Sequence, residues 1–196
     1  HDALPIYINA ENAVEFGDKR LYINKFYLDN SGNELKIQSQ GNQNNAPLQV
    51  DFVNFKIETI LNMVKKDKLL MQGLINGSAL VDNVMTNPTF TSDLKIDKFA
   101  FKGEAVGDIV LKVDNKTNNV LAANVVLSGE GNDVTLIGTY KINDGTFDLN
   151  LDLKKLNVKS IQGFSMDHIK DGTGYLSGNF KITGNSDAPK LNGELK

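Results

Sequence analysis

The sequence predicts an all-β protein: a curved, mostly antiparallel sheet with two short helices. Three observations carry that expectation. Apolar side chains recur at every second position in several long runs, which gives a strand one apolar and one polar face. Clusters of Asn, Asp and Gly separate the runs, as tight turns require. The three-to-four-residue spacing of a helix appears clearly only once.

Taken along the chain, the first long alternation is LQVDF, with Leu48, Val50 and Phe52 on one side. After Phe52 the apolar residues move to Phe55 and Ile57, a change of phase that predicts a bulge or a bend. Ile57, Ile60, Leu61 and Val64 follow at helical spacing and predict the first helix. DIVLKV alternates through Ile109, Leu111 and Val113, and VTLIGTYKI through Val134, Leu136, Tyr140 and Ile142. The longest run, TFDLNLDLKKLNV, places Phe147, Leu149, Leu151 and Leu153 on one face and Asp148, Asn150 and Asp152 on the other. A second phase change then moves the apolar series to Leu156 and Val158. A weaker helical pattern follows Ser160, through Ile161, Phe164 and His168, before NFKI resumes alternation at Phe180 and Ile182. Turns are expected at Asn30-Ser31-Gly32, Asn118-Asn119, Gly131-Asn132-Asp133 and Asn143-Asp144-Gly145. The last is the strongest signal, since Asp-Gly suits a two-residue hairpin turn with positive φ angles.

The parallels recur at a fixed distance. Aligning Asp51 with Asp152 sets DFVNFKIETI on DLKKLNVKSI, an offset of about 101 residues. The same offset pairs Gly73 with Gly174, Gly77 with Gly178, Val81 with Ile182, Pro88 with Pro189 and Leu94 with Leu195. The expectation is one repeat-built β domain over residues 1–196, approximately duplicated as 1–95 and 96–196. Leu94 continues into KIDKFAFKG whereas the second copy stops at Lys196, so the chain reads as a segment of a longer array.

Bulk composition narrows the function classes. With 196 residues and 40% hydrophobic content the chain can bury a core. A net charge of −3 gives no basic footprint for nucleic acid. The lack of Cys removes disulfides and thiolate metal sites. No run approaches the ~20 apolar residues of a membrane span, and the opening HDALPIYINAEN does not have the form of a signal peptide.

Residue by residue, catalytic chemistry finds little support. Asp148 and Asp152 share the wet face of a strand and read as solvated surface. His168 is the only histidine after the first residue, and no His, Cys or acidic cluster has ligand spacing. No catalytic residue, cofactor or metal is expected. Asn76-Gly77-Ser78 and Asn115-Lys116-Thr117 match a glycosylation sequon, relevant only to a eukaryotic secreted protein. Lys65, Lys66 and Lys68 form a small basic run that could meet an anionic headgroup but reads first as a solvated helix end.

One segment has a family character. YLSGNFKITGNSDAPKLNGELK spaces glycines, a proline and alternating apolar residues in a form that LINGSALVDNVMTNPTFTSDLKI repeats, with Asn83 in place of Gly184 and Ser92 in place of Gly193. This resembles the repeat of the TamB family, large inner-membrane-anchored envelope proteins related to AsmA. The resemblance is clearest from about residue 70 to 196. It implies a periplasmic β-structure folded lengthwise into a trough (a β-taco) lined with apolar side chains, and a non-enzymatic role. The implied partners are phospholipid or an unfolded outer-membrane protein segment, with an outer-membrane barrel partner engaged through the parent protein, and no nucleic acid. The apolar residues expected to line such a trough are Ile109, Leu111, Val113, Leu136, Leu149, Leu151 and Phe180. Alternation alone also admits the closed core of a sandwich. Two other roles stay open: a surface β-sandwich that binds protein or glycan, and a purely structural spacer. Against the binding module, Tyr22, Tyr27, Tyr140 and Tyr175 fall within strand patterns rather than loops.

Overall fold

A computed structural model describes residues 7–8, 12–17, 20–63, 70–164 and 171–196. His168, Val64 and the lysines at 65, 66 and 68 lie outside the described residues. Strands dominate: β1 (Tyr7–Ile8), β2 (Ala13–Gly17), β3 (Arg20–Asn24), β4 (Phe26–Asn30), β5 (Asn33–Ser39) and β6 (Leu48–Lys56) precede helix α1 (Ile57–Met63). Then come β7 (Met71–Asp82), β8 (Thr89–Phe101), β9 (Glu104–Asp114), β10 (Val120–Gly129), β11 (Asn132–Lys141) and β12 (Thr146–Asn157). Helix α2 (Val158–Ile161) runs into a 3-10 turn (Gln162–Phe164), and β13 (Tyr175–Asn185) and β14 (Pro189–Leu195) complete the described chain.

Twelve of the strands form one sheet in the order β1-β4-β5-β6-β7-β8-β9-β10-β11-β12-β13-β14. Every pairing in it is antiparallel, so the expected "mostly antiparallel" sheet is wholly so. It is curved without closing on itself. The sandwich alternative is not what the described residues build, because the only other sheet is the two-stranded β2–β3 hairpin. That hairpin lies against β5, where the Ile23 N–H donates to Ser39 Oγ at 3.0 Å.

Both phase changes in the sequence are breaks in register, between Phe52 and Phe55 on β6 and between Leu153 and Leu156 on β12. At the first break Asn54 takes a left-handed φ of 47°, and its N–H is caught by Asn76 Oδ1 at 2.8 Å. A further break on β8 leaves Lys98 at φ 54°, with its N–H donated to Asp108 Oδ1 at 2.9 Å. In each case a side chain from the next strand satisfies the donor that the bulge removes from the ladder.

Three hairpins close through two residues with both φ values positive: Ser31-Gly32, Lys102-Gly103 and Glu130-Gly131. This twist matches that of the flanking strands. The expected two-residue turn at Asn143-Asp144-Gly145 is instead a four-residue loop from Ile142 to Gly145. There the Gly145 N–H donates to the Lys141 carbonyl, while Asp144 accepts from both the N–H and hydroxyl of Thr146. A carboxylate that binds the first residue of the next strand favours the wider turn.

The second helix also begins earlier than expected. Asn157 is its N-cap, accepting the Lys159 N–H at 3.0 Å. Ser160 is buried inside the helix at 1% exposure.

The packed core is small and sits at one end of the sheet. Phe55, Ile57, Ile75, Phe99 and Val106 form a buried cluster under α1. Phe52 tilts against Phe55 with ring centroids 5.9 Å apart. Leu48 and Ala46 are buried at the opposite end, where the β2–β3 hairpin approaches Ser39.

Candidate apolar trough

Registers between neighbouring strands line the apolar residues up across the sheet. One row runs Leu28, Leu35, Phe52, Gly77, Leu94, Leu111, Val125, Leu136, Leu151, Phe180 and Gly193, one residue from each of β4 to β14. A parallel row passes through Val50, Ala79, Ser92, Val113, Ala123, Gly138, Leu149, Ile182 and Leu191. The third passes through Phe55, Ile75, Ile96, Ile109, Leu127, Val134, Leu153, Gly178 and Leu195. All seven residues expected to line a trough share this face. Leu111, Leu136, Leu151 and Phe180 fall in the first row, Val113 and Leu149 in the second, and Ile109 in the third.

Their burial is intermediate throughout. Full burial on this face is reached by Phe55, Ile75 and Leu153 in the third row, by Ser92 in the second and by Leu48 toward the other end. The middle of the sheet therefore presents a largely apolar surface that no second layer of the described residues covers completely.

The glycines within the rows allow the sheet to bend. Gly77 has φ +115°, and a Cβ there would run into the Asp93 carbonyl of the adjacent strand. Gly193 and Gly138 are crowded in the same way by the carbonyls of Asn179 and Asp148. Neighbouring backbones approach each other there more closely than any side chain would permit.

The opposite face is mainly polar, with Val110, Val126 and Ile137 as apolar members. Lys36, Asp51, Ser78, Asp93, Lys112 and Asn124 succeed one another across β5 to β10. Lys112 pairs with Asp93 at 2.9 Å, and Lys181 pairs with Asp148. Lys95 pairs with Asp97 and reaches Asp108 at 3.5 Å. The Lys98 N–H, donated to Asp108, holds that carboxyl below the ordinary carboxylate range, with Lys95 adding to the effect. Asp148, exposed and ion-paired, belongs to this solvated face. Among the described residues no group of three His, Cys, Asp or Glu is placed to hold a metal, and no helix is long and apolar enough to cross a membrane.

Of the tyrosines, Tyr22, Tyr27, Tyr140 and Tyr175 all lie in strands. Tyr175 is 56% exposed and lies under Lys155 Nζ at 3.9 Å. The residue that sequence reasoning missed is Asn132, read as part of a turn but buried at 5% exposure. Its buried amide is tied to residues 25 to 28 positions away, a contact with no periodic trace.

Comparison with protein families matches residues 121–196 to the TamB C-terminal domain. The similar glycine and proline spacing at residues 70–94 lies outside the matched span. No curated protein and no solved structure matches the chain.

Proposed function

We propose, from the match of residues 121–196 to the TamB C-terminal domain, that the chain is part of a TamB-like envelope protein and that its apolar face forms a trough for phospholipid in the periplasm. The observation that carries this reading is the three rows of mainly apolar residues, most of them half-buried, that cross the sheet from strand to strand. Acyl chains gain about 0.8 kcal/mol for each CH₂ removed from water, and headgroups stay solvated along an open edge. The role is transport or assembly rather than catalysis, within an inner-membrane-anchored parent that spans toward an outer-membrane barrel partner. An unfolded outer-membrane protein segment is the second client of the same face, since its alternating apolar side chains present similar chemistry.

The proposal also takes the chain as two copies of one unit. The paired residues Phe52, Gly77 and Leu94 recur as Leu153, Gly178 and Leu195, and the register break that follows each recurs with them. On this reading a trough lengthens by adding units at the edge of the sheet, with equivalent residues in the first row for one copy and the third for the next.

Native mass spectrometry of protein purified from bacteria, with lipid extraction, tests the lipid reading. Phospholipid co-purifies with the unaltered chain and is lost from the folded Leu149→Asp/Leu151→Asp variant. Lipid-free unaltered protein, or lipid retained by the variant, refutes it.

A further inference from the structure

The second helix does not stay over its own strand. α2 leaves β12 yet packs on β9, three strands away. Phe164, at the end of the 3-10 turn, stacks on Phe101 of β8 with centroids 4.2 Å apart and planes 11° apart. Four strand spacings of about 4.8 Å separate β8 from β12, or roughly 19 Å of sheet. The segment from Val158 to Phe164 advances only ~9–12 Å at helical rises of 1.5–2.0 Å per residue. So short a segment reaches across so many strands as a chord on the concave side of a curved sheet.

One buried amide fastens that chord. Asn132 Nδ2 donates to the Val106 carbonyl at 2.7 Å and to Ser160 Oγ at 2.9 Å. Its Oδ1 accepts the Asn157 N–H at 2.7 Å. A single side chain from β11 thus joins β9, the end of β12 and the buried hydroxyl of α2. Removing it strands several buried polar groups without partners. α1 packs chiefly on β7, the strand that follows it, and shares a core cluster with Phe99 and Val106.

We propose that α2 and the 3-10 turn are a strap that sets the curvature of the sheet between β8 and β12, and with it the width of the trough. Its two fastenings are the Asn132–Ser160 contact and the Phe101–Phe164 stack. The inference concerns shape, and it stands whether or not lipid is the cargo.

The test is a distance measurement made without lipid. The chain has no Cys, so Lys112→Cys on β9 and Lys154→Cys on β12, both exposed, accept spin labels for pulsed EPR. A second pair, Lys36→Cys on β5 and Lys95→Cys on β8, reports on sheet outside the strap. Asn132→Ala and Phe164→Ala should each lengthen or broaden the first distance by on the order of one strand spacing, ~5 Å, and leave the second unchanged. An unchanged first distance in folded variants, or equal changes in both pairs, overturns the proposal. Should Asn132→Ala lose its β circular dichroism, Phe164→Ala decides by the same criteria, because it leaves the buried amide intact. Failure of lipid to co-purify bears on the trough's cargo and leaves this measurement unaffected.

Discussion

Two truncations to alanine distinguish an open trough from a closed core. Phe55 is 4% exposed inside the cluster under α1, so Phe55→Ala removes a filled ring and leaves a cavity. Such changes cost ~3–5 kcal/mol. Leu151 sits mid-row between Leu136 and Phe180 with only intermediate burial. Fully burying a leucine contributes ~1.5–3 kcal/mol, so half-burial without an enclosing wall puts Leu151→Ala near ~1 kcal/mol. For a domain of this size each kcal/mol moves Tm by ~2–4 °C. Thermal unfolding followed by circular dichroism should therefore fall by ~2–4 °C for Leu151→Ala and by ~6–20 °C for Phe55→Ala. A loss for Leu151→Ala matching that for Phe55→Ala would mean that Leu151 is enclosed on all sides, and the open-trough reasoning would fail.

Two further outcomes follow from the backbone. Gly77→Ala should destabilise the sheet by ~1–3 kcal/mol, the range for a strained left-handed position, because its Cβ meets the Asp93 carbonyl; denaturant midpoints unchanged within error would contradict this. Asp108 has a folded pKa below its unfolded value, so the stability it adds is complete above about pH 3.9 and is lost as pH falls through the lower folded value. In an acid titration followed by NMR, the Lys98 amide should begin to lose its Asp108 partner only below that unfolded value. Asp108→Asn should remove the pH dependence at Lys98, and an Asp108 carboxyl titrating at or above about 3.9 would contradict the assignment.

The parts of the fold that were legible in sequence are those governed by local periodicity. Phase slips at Phe52/Phe55 and Leu153/Leu156 marked register breaks because a strand must turn a residue over to keep its apolar face inward. Ile57, Ile60 and Leu61 marked α1. The hairpin at Lys102-Gly103 was missed because its first residue is a lysine at φ 50°, a type that seldom signals a left-handed turn. At Glu130-Gly131 the turn lies one residue earlier than expected, and Asn132 opens β11 instead. Asn132 and Ser160 were illegible as partners, since a hydrogen bond over 28 positions depends on how far the sheet curls. The seven trough residues could be assigned to one face by alternation. How deeply each is covered depends on packing layers, which alternation does not encode.

The strand order carries a kinetic consequence. From β5 to β14 every strand pairs with the one immediately before it, so each newly added segment finds its template already in place. Loop-closure entropy is small at each step, and contacts of short sequence separation form fast. Such a chain can fold in the direction in which it is delivered, each hairpin extending a ribbon whose last strand is always the growing end. The strap is the exception: Asn132 on β11 waits for Ser160, so the curvature between β8 and β12 is fixed only after β12 and α2 have arrived.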